Sequence, residues 1–313
     1  MKDIAKLFLR YRATAILFVA FAIVYIAQIF LIPANPTALR KFHLTELQYH
    51  ETLLAIALPY IVIWVIALVG FLRLKAYTVT LGDGKDGQAF YMICKGVFWF
   101  TLWLPISTLI STFGEYAYRD HADFIANVIR MEVYANLILL VPAFVYVYQG
   151  SVRLLKVSKS RLSNPTFRTT VAFIVFSALY VFLVMEDSAR QIAVDSATPA
   201  TYYMPDWIVM LTVIIPRLLL WFLGVLAVQN IFLYRQKVQG IIYRKGLMKL
   251  ALGIGGVTVL IILLRCAQSL SNPLSKLGLA ALLVIIYVLL LLMATGYVFI
   301  AKGAKQLHAI EES

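Results

Sequence analysis

Charge is scarce in this chain. Of its 313 residues 14% are Asp, Glu, Lys or Arg and 62% are hydrophobic, against about 25% and about 45–50% in soluble globular proteins. A soluble chain of that composition would expose large apolar patches. The shortage of charge therefore excludes an ordinary water-soluble domain and points to lipid as the solvent.

Cysteine is scarce too. Cys94 and Cys266 are the two, each inside an apolar segment. That excludes a disulfide framework and any CxxC or Cys/His ligand spacing, and both read as small core residues. None of the four histidines sits inside a helix at membrane depth, which argues against haem held between helices. No nucleophile elbow, kinase signature, dinucleotide fingerprint or HExxH sequence is present. A retinal Schiff base needs a mid-helix lysine, and Lys95 lies too near a helix end, where it is expected to snorkel.

Eight apolar segments remain once these absences are set aside. A hydrocarbon core about 30 Å thick needs about 20 residues of helix. The segments are 13–32, 52–72, 89–113, 129–149, 170–185, 207–233, 247–264 and 277–301. They do not alternate polar and apolar, so they are not barrel strands. The basic start (Lys2, Lys6, Arg10, Arg12) followed by the uncharged run 13–32 resembles a signal peptide. The run is longer than a cleavable segment of about 7–15 residues, so it reads as a retained first helix. The expected fold is all-α, a polytopic transmembrane bundle of about eight helices.

The net charge of +13 does not imply nucleic acid, because the basic residues flank the apolar segments. With eight spans, 20 of the 28 lysines and arginines fall on one side, seven on the other, and Arg217 falls within a helix. The positive-inside rule then places both termini in the cytoplasm of a plasma (inner) membrane protein. Ten of the 15 acidic residues fall on the outer side. Acids contribute little to topology, so that bias directs attention to the outer face.

An internal repeat is the next signal. Pro59, Trp64, Tyr77 and Gly96 recur as Pro216, Trp221, Tyr234 and Gly253, each 157 positions later. The expected division is two four-helix halves, 1–157 and 158–313. Four is even, so the halves would share one orientation about an axis along the membrane normal, as parallel repeats do. Thr45-Glu46-Leu47-Gln48 fits a capping box. Asp120 is a candidate cap for the fourth segment. The run Gly82-Asp83-Gly84-Lys85-Asp86-Gly87 reads as a flexible loop.

Arg217 carries most weight as a site. It lies about ten residues into the sixth segment, where an arginine costs at least about 2.5–3.5 kcal/mol unless paired or wetted. Candidate companions are Glu132, Glu115, Glu186, Asp187 and the second cation Arg265. Charges of both signs at one depth suggest an outward vestibule. His43, His50 and His121 are weak metal candidates, since zinc sites converge three or four such ligands, but no zincin spacing is present.

Three functions compete on these grounds. One is solute binding or transport through a polar cavity in the outer half. Another is a non-catalytic subunit, scaffold or receptor working through a membrane-protein partner or a second copy. The third is an intramembrane enzyme using outer-face carboxylates or histidines. The partners expected are the bilayer and a small-molecule ligand. No cofactor is assigned.

Overall fold

The computed structural model describes residues 2–31, 43, 45–117, 124–157, 215–269 and 279–311. Among the described residues the regular structure is wholly helical. In chain order the helices are α1 (Lys2–Arg10), α2 (Arg12–Leu31), α3 (Glu46–Leu81), α4 (Lys85–Ala117), α5 (Phe124–Val157), α6 (Ile215–Lys237), α7 (Ile241–Ser269) and α8 (Leu279–Glu311). Six of them, α2 to α6 and α8, are long and apolar enough to cross a membrane, which fits a multi-pass membrane protein. Seven of the expected segments coincide with α2 to α8. The fifth, 170–185, lies outside the described residues, as does Asp120.

Local chemistry sets several helix ends. The expected capping box is present: the Thr45 hydroxyl accepts from the Gln48 amide at 3.3 Å, and the Gln48 side chain accepts from the Thr45 amide at 2.9 Å. This satisfies backbone donors that the first turn leaves open.

The expected flexible run 82–87 is shorter than its composition suggests. Gly82 ends α3 at φ 62°, and α4 already starts at Lys85. A Cβ at Gly87 would collide with the Gly82 carbonyl, so glycine here permits a tight reversal rather than a loose linker.

α1 was not foreseen, because its basic residues read as a flank. Ile4, Leu7, Phe8 and Tyr11 recur at helical spacing and turn half-buried faces inward, while Lys6, Leu9 and Arg10 are exposed. Leu7, Phe8 and Tyr11 pack against the hydrophobic core, which is the amphipathic pattern that holds a short helix on a larger body.

Among the described residues, six helices pack as a closed ring. α3 packs on α4, α4 on α5, α5 on α6, α6 on α7 and α7 on α8, and α8 returns to α3; α2 lies against α3 and α4. The most extensive contacts are α4 with α5 and α7 with α8, and glycine explains both. A Cβ on Gly96 would lie 2.6 Å from the Ala143 carbonyl, and one on Gly150 would lie 2.7 Å from that of Ala89. A Cβ on Gly253 would lie 2.7 Å from the Gly296 carbonyl, and one on Gly303 would lie 2.8 Å from that of Gly246. Small residues let membrane helices approach closely, and such association relies on packing because lipid is as apolar as the helix surface.

The ring interior is filled. Trp64, Phe90, Val97, Phe100, Val257 and Tyr297 are all essentially inaccessible. The Tyr297 hydroxyl crosses the ring from α8 to donate to the Phe100 carbonyl of α4 at 3.1 Å.

Candidate functional site

Arg217 sits in the first described turn of α6, directly after Pro216. Leu220, Trp221 and Gly224 follow three, four and seven residues on, and all are buried. Residues at this spacing share one helical face. Leu219, on the other side, is exposed. Arg217 therefore stands on the stripe that faces the bundle. It is half-buried and engaged by an interaction there. Tyr60, the residue 157 positions earlier, is likewise partly buried against the core on α3, one turn before the buried pair Ile63 and Trp64.

The expected companions of Arg217 divide. Glu115 falls on α4, Glu132 on α5 and Arg265 on α7, and the side chains of all three lie outside those described. Glu186, Asp187 and His121 lie outside the described residues altogether.

His43 is exposed in a turn at φ 52°. His50 has a structural use: its Nδ1 donates to the Ile29 carbonyl at 2.9 Å, tying the start of α3 to the end of α2. Among the described residues no three His, Cys, Asp or Glu side chains come together in a way that could hold a metal.

At the opposite end of the ring lies a polar cluster that sequence reasoning missed. Tyr77 at the end of α3 shares a hydrogen bond with Tyr243 at the start of α7, at 3.2 Å between hydroxyls. Tyr234 at the end of α6 donates to an Asp86 carboxylate oxygen at the start of α4, also at 3.2 Å. Both bonds cross between helices that are not ring neighbours. Tyr234 and Tyr243 also interact with each other, so three phenols and one carboxylate form a continuous network. Asp86 lies in the first turn of α4, where the helix dipole favours a negative charge.

A signal for this cluster was available. Tyr77 and Tyr234 recur 157 positions apart, and the same shift relates Asp86 to Tyr243. Reading 82–87 as a loop hid Asp86.

Nearby, Asn230 on α6 donates to the Ser151 hydroxyl of α5 at 3.1 Å in a buried setting. Thr101 and Thr258, again 157 positions apart, each bond back to the carbonyl four residues earlier at 2.8 Å. Such bonds satisfy a buried hydroxyl locally.

No family model, curated protein or solved structure matches this chain.

Proposed function

We propose that the protein is a duplicated, eight-span membrane protein that binds a small anionic solute at Arg217, in the outer half of the bundle, and moves it across the membrane. The observation that carries the reading is the bundle-facing position of Arg217 on an otherwise apolar stripe. A guanidinium kept at such a site is a ready partner for an anion. A solute carboxylate or phosphate would engage it through charge-assisted bonds.

Duplication supports this reading because parallel repeats enclose a site on their common axis. The hydrogen bonds Tyr77–Tyr243 and Tyr234–Asp86 are images of each other under the 157-residue shift. The glycine contacts agree as well. Gly96 and Ala89 correspond to Gly253 and Gly246 at that shift, and their partners Ala143 and Gly150 correspond to Gly296 and Gly303 at a shift of 153. Ring order is preserved by the same exchange, with α3, α4 and α5 taking the places of α6, α7 and α8. In this arrangement Arg217 takes the place of Tyr60, which makes the site chemically one-sided.

A second reading is favoured by the filled ring interior: a non-catalytic subunit, scaffold or receptor whose arginine is a structural ion pair. One experiment separates the two. The purified protein and its Arg217→Ala and Arg217→Lys variants are melted in detergent with and without a panel of small carboxylates and inorganic phosphate. Solute binding predicts a nearly unchanged melting temperature for Arg217→Ala, with loss of any anion-induced shift. A structural pair predicts destabilisation by about 3–5 kcal/mol, because the partner charge is left buried and alone.

A further inference from the structure

The elbow between α1 and α2 gathers positive charge on an aromatic ring. Lys75 Nζ lies 4.8 Å from the Tyr11 ring centroid, and Arg10 Cζ lies 5.6 Å from it. Lys75 also approaches Phe71 at 5.9 Å. Among the described residues neither cation is paired with a carboxylate. Cation–π contacts position a cation but leave its net charge uncompensated.

The Tyr11 hydroxyl is buried and has no hydrogen-bond partner among the described residues. Burial raises its pKa, against the opposing effect of Arg10, so at neutral pH it remains a donor. Beside the cations, Leu9 is 76% exposed, and Ile16 continues an exposed aliphatic surface along α2. Two cations gathered on one aromatic ring beside bare aliphatic surface are what a charged headgroup on an acyl chain would fit.

We infer that this elbow binds an anionic phospholipid, its phosphate held by Arg10 and Lys75 beside Tyr11 and its acyl chains lying over Leu9 and Ile16. The inference does not depend on the reading of Arg217. Basic residues near a membrane surface each add attraction for anionic lipid. A headgroup bridging Arg10 on α1 and Lys75 on α3 would also fasten the amino-terminal helix to the bundle.

The test places the full chain in nanodiscs of phosphatidylcholine, with or without phosphatidylglycerol, and follows melting and lipid retention by native mass spectrometry. Wild-type protein is expected to melt higher with phosphatidylglycerol and to retain it. The double variant Arg10→Gln/Lys75→Gln is expected to weaken retention about thirtyfold. Lys75→Arg should keep it. Tyr11→Phe, which leaves the packing intact, should weaken it by a few fold and serves if the double variant does not fold. Equal behaviour in the two lipid compositions would overturn the inference. So would full retention in the double variant, or an equal stabilisation by inorganic phosphate alone, which would mark a site for a free anion.

Discussion

The hydroxyl of Tyr234 donates to the Asp86 carboxylate at 3.2 Å, joining the end of α6 to the start of α4 across the ring. Its counterpart, Tyr77 with Tyr243, joins α3 to α7 at the same end. Together they tie four helix ends that the short turns at Gly82–Gly84 and 238–240 would otherwise leave joined only as hairpins.

Tyr234→Phe should therefore destabilise the protein by about 1.5–3 kcal/mol, since its hydrogen bond is to a charged acceptor. Tyr77→Phe should cost less, about 0.5–1.5 kcal/mol, since both partners are neutral. A double-mutant cycle of Tyr234→Phe with Asp86→Asn measures the coupling directly. A coupling energy near zero would show that the bond contributes nothing to stability.

The glycine contacts predict matched sensitivity. Gly96→Ala and Gly253→Ala each drive a methyl group toward a backbone carbonyl 2.6–2.7 Å away, and overpacking of this kind costs about 1–3 kcal/mol. Gly255→Ala, where the nearest side-chain atom is 3.4 Å from the new Cβ, is the control and should be nearly neutral. Thermal unfolding of the three variants side by side decides the point. Equal stability for all three would contradict the close approach.

Charge predicts which side is inner and which is outer, and that prediction is open to direct measurement. Single cysteines placed at 37, 122, 198 and 272 should react with an impermeant maleimide added to intact cells. Cysteines replacing the exposed Val79 or Lys237 should react only after the membrane is opened. The reverse pattern would invert the topology.

Removing the cap of α3 has a local readout. Thr45→Ala should cost about 1 kcal/mol and speed hydrogen exchange at the Gln48 amide, which loses its acceptor. Unchanged exchange there would show that the Thr45 hydroxyl does not protect that amide.

Much of this architecture was legible in the residues, and the reason is physical. A bilayer imposes a length of about 20 apolar residues on every crossing and requires helices to satisfy their own backbone. The positions of α2 to α8 followed from those two demands. The capping box at Thr45 was readable because it is a local exchange between residues three apart. α1 was not readable, because basic residues serve topology and amphipathic packing equally well, and only a bundle surface for Leu7 and Phe8 to rest on distinguishes the two.

Asp86 was hidden by its glycines, whose permissiveness serves a tight reversal as well as a loose loop. The recurrence at 157 positions marked Tyr77 and Tyr234, yet which residue each phenol meets depends on helix pairs distant in sequence. For Arg217, hydropathy determined that a charge lies in an apolar helix. That it faces the bundle rather than lipid was decided by packing, because only the burial of Leu220, Trp221 and Gly224 on the same stripe fixes which way that face of α6 turns.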